Sequence, residues 1–170
     1  MDLDPTPLLP GAEWDDREPT DAPRADRPSL RRAAWLGAKR GVQATAAMTA
    51  FRLPISRSPP PPSYLVAKLF DGDPGECPVS GMVLHFVYGT VAGSVFGAWF
   101  ERRASGPDAE RERDGVVLGS LYGVALSAFG NRVLMDRLLG LDLDDDERFV
   151  FHVSHLVYGL TLGTALGSDE

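Results

Sequence analysis

The amino-acid sequence predicts an all-α protein, a four-helix transmembrane bundle built from two parallel two-helix repeats. Three observations predict it: charged residues are absent from four long stretches, glycine recurs at every fourth position in three of them, and the stretches match one another in pairs. The uncharged stretches are 41–51, 80–100, 115–131 and 149–168. The rest of the 170 residues carries all 24 acidic and all 17 basic side chains, so the chain combines a very polar part with a very apolar one.

The N-terminal segment is strongly polar. Residues 1–30 contain six prolines and eleven charged residues, eight of them acidic. Such a segment cannot bury enough apolar surface to offset the entropy lost on ordering the chain. We therefore predict a disordered, acidic, proline-rich tail over residues 1–30 and a four-helix transmembrane domain over residues 31–168.

Four membrane spans are predicted, at about residues 35–53, 80–100, 115–135 and 149–168. The uncharged stretch 80–100 has 21 residues, which form a helix about 31 Å long at ~1.5 Å per residue and match the ~30 Å hydrocarbon core of a bilayer. The third span is long enough only if Arg132 reaches the headgroups. The first span is the weakest, because its helix has to start at Trp35, an interfacial anchor, and to include Lys39 and Arg40.

Glycine spacing favours lipid over water as the medium around these helices. A glycine inside a water-soluble helix costs about 1 kcal/mol relative to alanine, whereas in lipid a face of small residues lets two helix backbones approach closely. The segments also lack the polar stripe that a soluble helix exposes. A soluble four-helix bundle with unusually apolar helices is the alternative. The predicted helix-packing glycines are Gly89, Gly93, Gly97, Gly115, Gly119, Gly123, Gly159, Gly163 and Gly167.

The apolar segments repeat in pairs. The stretch HFVYGTVAGSVFG (85–97) matches HLVYGLTLGTALG (155–167) at an offset of 70, and AMTAF (47–51) matches ALSAF (125–129) at an offset of 78. At the second offset, Gly37 and Gly41 also fall on Gly115 and Gly119. Composition alone makes small-residue helices resemble one another, but we favour a duplicated helical hairpin. Its halves would be related by a pseudo-two-fold axis along the membrane normal.

The connections between the spans are polar or rich in proline. Four prolines, Pro59–Pro62, predict a stiff spacer, and Tyr64–Phe70, short and apolar around Lys68, is typical of a segment in the interface plane. The third connection holds an acidic run, Asp142–Glu147. It lacks the alternating ligands and the glycine of a calcium-binding EF-hand loop. We interpret it as a solvated loop that begins the next helix near the positive end of the helix dipole.

Basic residues near the spans indicate the orientation in the membrane. With the N-terminus inside, the inner ends carry eight arginines and the outer ends carry six basic residues. The inner set is Arg24, Arg27, Arg31, Arg32, Arg102, Arg103, Arg111 and Arg113, and the outer set is Arg52, Arg57, Lys68, Arg132, Arg137 and Arg148. This bias places a multi-pass protein in the cell membrane with both termini in the cytoplasm.

All three histidines lie in apolar segments, where ionisable residues are functional candidates. His85 and His155 are equivalent in the repeat, as are Tyr88 and Tyr158 one turn deeper, and His152 shares a helix face with His155. Imidazoles at this depth can hydrogen-bond across helices, relay protons along a solute path, or ligate a metal or a haem. We favour the first role and expect no metal or cofactor; the spans contain no acidic partner, which weakens the second.

Several classes of function are excluded. The single cysteine, Cys77, cannot form a disulfide within the chain or a cysteine-based zinc site. The sequence has no nucleophile elbow, phosphate-binding loop or dinucleotide fingerprint. A net charge of −7 without a basic patch argues against nucleic-acid binding. We therefore expect a non-enzymatic protein that contacts the lipid bilayer and either a second copy of the chain or another membrane protein.

Three segments resemble a small uncharacterised family of four-helix integral membrane proteins of haloarchaea. They are GVQATAAMTAFRLP (41–54), HFVYGTVAGSVFG (85–97) and HLVYGLTLGTALG (155–167). The composition, with 16 Asp against 8 Glu and 15 Arg against 2 Lys, also resembles that of proteins from salt-loving archaea. The likeness covers roughly residues 31–168. It implies an integral membrane protein and brings no activity or catalytic residues with it.

The predicted role is that of a packing or scaffold subunit in a membrane, with oligomers formed through small-residue faces that the chain itself leaves unused. One alternative is a small solute or ion transporter that uses the interface between the repeats, which a polar cavity lined by His85 and His155 would favour. A second alternative is a metal or haem carrier that uses the intramembrane histidines.

Overall fold

A computed structural model describes residues 29–56, 59–104 and 106–168. The described residues are all-α, with 85% of them helical and none in a strand, so the predicted class is confirmed. The described residues form five α-helices, α1 (Leu30–Arg52), α2 (Pro61–Phe70), α3 (Pro78–Arg103), α4 (Asp108–Phe129) and α5 (Asp145–Gly167). The predicted disordered tail lies outside the described residues, except for Ser29 and Leu30, which begin α1.

The predicted count of four helices is wrong, because α2 forms a fifth between the first two spans. Three helices are long and apolar enough to cross a membrane: α3, α4 together with its continuation to Leu139, and α5. Helix α1, with 23 residues, is long enough, but it is less apolar than these three helices because Lys39 and Arg40 lie within it. Three of the four predicted spans are thus matched by helices of sufficient length and hydropathy.

Capping residues fix where the helices begin. The Ser29 hydroxyl accepts a hydrogen bond from the Arg32 backbone N–H at 3.3 Å, and the Asp144 carboxylate accepts one from the Glu147 N–H at 2.8 Å. These side chains satisfy backbone donors that have no partner within the first helical turn. At the start of α3, Pro78 supplies a preset φ and no unsatisfied N–H. The acidic run therefore starts α5, as the sequence predicts.

The helical chain continues beyond the end of α4 at Phe129, with a different hydrogen-bonding pattern. Residues Gly130–Leu139 form a π-helical segment, so the continuous helix Asp108–Leu139 has 32 residues. The segment ends at Gly140, whose φ of +66° is a left-handed conformation that glycine adopts without strain. Wider turns of this kind are rare and occur often at functional sites. The continuous helix Asp108–Leu139 is therefore longer than the third predicted span, which ends at about residue 135.

The long helices pack in two pairs, α1 with α3 and α4 with α5, and α5 also packs against α1. One end of the bundle, which we call the terminal end, holds the start of α1 and the end of α5. There Glu101 of α3 pairs with Arg111 of α4, and Arg111 also reaches the Leu166 carbonyl oxygen. The start of α1 lies at the same end, because a Cβ atom at Gly97 of α3 would lie 2.7 Å from the Ala33 carbonyl oxygen. The opposite end, the loop end, holds α2, and there Lys68 donates to the Leu138 carbonyl oxygen of the π-helical segment. Ser29 and Ser168 therefore lie at the same end of the bundle.

Glycines bring α1 and α3 into backbone contact. A Cβ atom built at Gly41 would lie 2.6 Å from the Gly89 carbonyl oxygen and 3.1 Å from Gly93 Cα. Cβ atoms in proteins essentially never approach a heavy atom that closely, and the obstructing atoms belong to the rigid helix backbone. A side chain at Gly41 would therefore force the two helices apart.

The α4–α5 pair makes the same contacts at the equivalent positions. A Cβ atom at Gly119 would meet the Gly159 carbonyl oxygen and lie 2.7 Å from Gly163 Cα, and one at Gly115 would lie 3.1 Å from Gly167 Cα. In the first pair, the matching contact joins Gly37 to Gly97 Cα at 3.0 Å. All nine predicted packing glycines are buried in these two interfaces. The two pairs thus share one packing register at the offsets of 78 and 70.

Within each helix pair, small residues are buried and larger apolar side chains are exposed, the reverse of a soluble helix pair. Small residues fill the interface of α1, while Val83, Val87, Val91 and Val95 form a stripe on α3 that is 52–59% exposed. Only 28% of the apolar window of α3 is buried within the bundle, 22% of that of α4 and 44% of that of α5. Water penalises such an exposed surface by roughly 25 cal/mol per Å², whereas lipid tails do not. Much of the apolar surface of these three helices therefore lies outside the bundle.

The larger buried side chains lie where the two pairs meet. Phe96 and Phe100 of α3 stack with ring centroids 5.6 Å apart, and both are fully buried in a cluster with Leu162 and Leu166 of α5. Tyr122 of α4 packs on Phe96 with ring centroids 4.9 Å apart. Aromatic rings therefore close the terminal half of the inter-pair interface, and the loop half is less completely filled.

Candidate functional site

A cavity of about 130 Å³ lies between the two helix pairs, toward the loop end. Apolar side chains from all five helices and from the π-helical segment form most of its wall, and we call it the apolar cavity. Its polar lining residues are Thr45, Arg52, His85, Tyr88, His155 and Tyr158. The fold thus brings together four of the five side chains that the sequence singles out, from two helices in different pairs.

The two histidines in the apolar cavity differ in their hydrogen bonding. His155 is only 7% exposed, and its Nδ1 lies 2.8 Å from the Phe151 carbonyl oxygen one turn earlier. That nitrogen must carry the proton and donate it, which leaves Nε2 as an acceptor. His85 is half-buried, contacts the ring of Phe86 edge-on, and has no hydrogen-bond partner among the described residues. The cavity therefore contains imidazole nitrogens that a bound molecule can engage.

Tyrosines of the second pair bond to the backbone of α3. The Tyr158 hydroxyl donates to the Gly89 carbonyl oxygen at 2.6 Å, and the Tyr122 hydroxyl donates to the Ala92 carbonyl oxygen at 2.9 Å. Tyr158 is 2% exposed and Tyr88, its equivalent in the repeat, is 39% exposed. Tyr158 therefore holds the two pairs together, whereas Tyr88 is left with an accessible ring beside the cavity.

The third histidine lies outside this site. His152 Nδ1 is 2.9 Å from the Ser127 hydroxyl of α4, and His152 does not line the apolar cavity. Within the described ranges, no group of three or more His, Cys, Asp or Glu side chains is placed to hold a metal ion. Histidine spacing along α5 suggested a shared face for His152 and His155, and both rings contact Phe151. Only His155 lines the cavity, whereas His152 turns toward Ser127.

A smaller cavity of about 80 Å³ adjoins the first, and we call it the polar cavity. Arg52 and His85 line both cavities, so these two side chains form the boundary between them. Thr49, Ser56, Leu53, Pro60 and Met82 complete the wall. The Thr49 hydroxyl is buried and has no hydrogen-bond partner in the described part of the chain. A buried hydroxyl without a hydrogen-bond partner costs about 1–3 kcal/mol of stability, so the wall of this cavity includes a polar group whose burial is not compensated.

Arg52 is a site residue that sequence analysis missed. It is the last residue of α1, its Nη2 lies 3.4 Å from the Ser56 hydroxyl, and among the described residues lining the apolar cavity it is the only one with a charged side chain. The sequence suggested only that Arg52 marks the outer end of a span. In the repeat, Arg52 is equivalent to Gly130. This difference between the two halves is a signal that could have identified it.

A second missed feature is the ion pair at the terminal end. Arg111 pairs with Glu101, whose side chain is 10% exposed, and the Arg111 guanidinium lies 5.1 Å from the centroid of the Phe100 ring. In the sequence both residues lie in the charged connection between the second and third predicted spans. The pair instead links α3 to α4 under the aromatic cluster, far from the cavities.

Comparison with known proteins adds no relative. The chain matches no protein-family model, no curated protein and no solved structure, so its resemblance to haloarchaeal membrane proteins stays a prediction.

Proposed function

We propose that this chain is a multi-pass integral membrane protein of the cell membrane with a non-enzymatic role, that of a packing or scaffold subunit. The observation that carries the proposal is the distribution of side-chain size, with glycine and alanine between the helices and valine stripes outside. Three helices have the length and hydropathy of membrane spans. In this proposal α1 is the fourth span, and the exposed Lys39 extends its long side chain toward the headgroups at the terminal end.

We also propose that the two helix pairs are a duplicated hairpin. The equivalent glycine contacts at the offsets of 78 and 70 support this, because a shared composition alone does not impose a shared register. Both ends of the described helical region would then face the cytoplasm. This proposal agrees with the eight arginines predicted on the inner side.

Cell fractionation tests the membrane location. We expect the full chain to sediment with membranes when a detergent-free lysate is centrifuged at high speed at native salt, to resist alkaline extraction, and to be released by a mild detergent. Water-soluble behaviour would be inconsistent with the lipid-facing valine stripes. Recovery of the folded chain in the supernatant would overturn the proposal in favour of a soluble bundle.

The single native cysteine tests the orientation. Cys77 immediately precedes α3 at the loop end and is partly accessible. We expect a membrane-impermeant maleimide to label Cys77 in intact cells. In a Cys77→Ser background, Ser168→Cys at the terminal end serves as the matched control and should react only after the cells are opened. The opposite labelling pattern would contradict cytoplasmic termini.

An oligomer or a complex with another membrane protein would use surfaces other than the glycines. All the predicted packing glycines are already buried within the chain, so a second subunit would pack on the exposed valine stripe of α3. Chemical crosslinking in native membranes distinguishes an assembly from a monomer.

A small solute or ion carrier is the second candidate function. The observation in its favour is that His85 and His155, one from each pair, line the same cavity at the interface between the proposed repeats. Proton flux in proteoliposomes, followed with an enclosed pH-sensitive dye, tests it. We expect His85→Ala combined with His155→Ala to insert normally and to abolish the flux; equal flux in the double variant would exclude these histidines from a proton path.

A further inference from the structure

The two adjoining cavities together have an amphiphilic character. The apolar cavity is walled mainly by hydrocarbon side chains, whereas the polar cavity is lined by four residues with polar side chains, Thr49, Arg52, Ser56 and His85. Arg52 and His85 separate the two. A molecule that filled both would need a polar head and an apolar tail.

The charge at the boundary selects the sign of the head. Arg52 is the only side chain with a fixed charge among the described residues that line either cavity. The two titratable groups that act electrostatically on it, Glu147 at the start of α5 and Tyr64 of α2, line neither cavity. The unpartnered Thr49 hydroxyl and the His85 imidazole can each donate a hydrogen bond to an anion. An oxyanion beside Arg52 would satisfy these groups, because guanidinium groups bind carboxylates with strong, charge-assisted hydrogen bonds.

The cavity volumes limit the size of the tail. A cavity of roughly 150 Å³ lined by aliphatic and aromatic side chains holds one benzene molecule, and the apolar cavity, at about 130 Å³, is of that order. It has room for part of one hydrocarbon chain, whereas a two-chain phospholipid would leave its second chain outside.

We infer that the paired cavities form a binding site for a single-chain carboxylate amphiphile, a fatty acid. Its carboxylate lies in the polar cavity against Arg52 and Thr49, and its hydrocarbon chain enters the apolar cavity past His85. The inference deepens the carrier function proposed above, and the membrane location supplies the route by which such a ligand arrives. The scaffold function does not require it.

Equilibrium binding of radiolabelled dodecanoate to the purified full chain in a neutral maltoside detergent tests this inference. We expect saturable binding that unlabelled dodecanoate displaces. Dodecanol, which has the same tail without the charge, should compete about 10-fold more weakly or worse, and acetate, the head without the tail, should not compete. Equal competition by dodecanol would overturn the role of Arg52, and saturable competition by acetate would overturn the role of the tail.

Variants locate the site. Arg52→Gln should weaken dodecanoate binding by about 10- to 100-fold, the range for one hydrogen bond to a charged group, and Arg52→Lys should lose less. Thr49→Val should cost about 3- to 10-fold. Arg132→Gln, at an exposed arginine near the same end that lines neither cavity, is the matched control and should bind normally. Loss in the Arg132 variant equal to that in the Arg52 variant would overturn the assignment, and circular dichroism confirms that each variant is folded.

Two further arms separate this inference from its alternatives. Anionic phospholipid nanodiscs should displace dodecanoate no better than zwitterionic ones; strong displacement by the anionic lipid would overturn the single-chain assignment. A chain that sediments with membranes yet binds no dodecanoate overturns only this inference, whereas a chain that binds dodecanoate but stays in the supernatant overturns only the proposed membrane location.

Discussion

The α1–α3 and α4–α5 pairs share one backbone register, but they differ at the loop end. In the second pair, α5 carries a large residue at this end, Phe151. A Cβ atom at Gly130 of the π-helical segment would lie 2.9 Å from Phe151 Cζ. At the equivalent positions of the first pair, Phe151 is replaced by Gly81 and Gly130 by Arg52. A Cβ atom at Gly81 would lie 2.8 Å from Ser63 Cα of α2, so the missing ring leaves room for α2 to dock.

This exchange of a large residue for a small one accounts for the asymmetry of the site. In the second pair the Phe151 ring packs on His155, with centroids 4.3 Å apart, and helps to bury it. In the first pair Arg52 replaces a glycine, and His85 has no equivalent ring above it. Glycine contacts deeper in each pair therefore set the common scaffold, and a few substitutions near one end create cavities in one half only.

Overpacking the glycine faces should give the largest effect and tests whether the pairs are equivalent. Gly93→Val and Gly163→Val each place a branched side chain against the backbone of the facing helix, which cannot shift without separating the pair. We expect each to lower the free energy of unfolding by about 3 kcal/mol or more, with similar losses, as measured by detergent-titrated unfolding followed by circular dichroism. Ala46→Val, at an exposed position of α1, is the control and should change little. A large loss of stability in one pair and a small loss in the other would show that the same glycine register contributes unequally to the stability of the two pairs.

Removing the ion pair at the terminal end should have the next largest effect. Glu101→Gln leaves the Arg111 guanidinium, whose side chain is 21% exposed, without its carboxylate partner. We expect a loss of about 2 kcal/mol, below the range of a fully buried pair because some exposure remains. Arg113→Gln, which breaks an exposed pair with Asp114, should cost less than about 0.5 kcal/mol.

A double-mutant cycle decides whether that ion pair itself carries the effect. The first pair cannot form an equivalent ion pair, because Ala33 occupies the position that corresponds to Arg111 of the second pair. Glu101→Gln and Arg111→Met should therefore show a coupling energy of about 1 kcal/mol or more. Additive losses would mean that each side chain acts through other contacts.

The equivalent tyrosines should give the smallest effect and the clearest contrast between the pairs. Tyr158→Phe removes the hydrogen bond to the Gly89 carbonyl oxygen, and we expect it to cost about 1 kcal/mol. Tyr88→Phe should be close to neutral, since Tyr88 is 39% exposed and makes no hydrogen bond within the described residues. Equal losses at the two positions would contradict the asymmetry described here.

The helices and their contact faces were predictable because their signals are local. Glycines four residues apart lie on one helix face, and those faces meet in both pairs. The acidic run at Asp144 was predicted to start a helix and does so, whereas α1 and α3 begin at Leu30 and Pro78, before the predicted spans. Helix α2 was predicted only as an apolar segment, because its docking depends on Gly81 of a different helix. The π-helical segment has no periodicity that distinguishes it in the sequence.

The candidate site was predictable only in part. The repeat singled out His85, His155, Tyr88 and Tyr158, and all four line one cavity. Pattern alone could not place His152 outside it, because helix spacing gives a face without giving the neighbours on that face. Arg52 was missed since its position at the end of a span fits a headgroup contact as well as a cavity.

By itself, the sequence determined the all-α class, the small-residue faces through which the helices pair, and three of its four predicted spans, those whose helices have the length and hydropathy to cross a membrane. These properties follow from spacing along the chain, which is fixed before any helix meets another. Only the tertiary structure decided that α2 docks on α3, that Glu101 meets Arg111, and that Arg52 and Thr49 face a cavity beside His85. Such contacts join residues far apart in sequence, and they depend on how each helix is rotated and shifted against its neighbours.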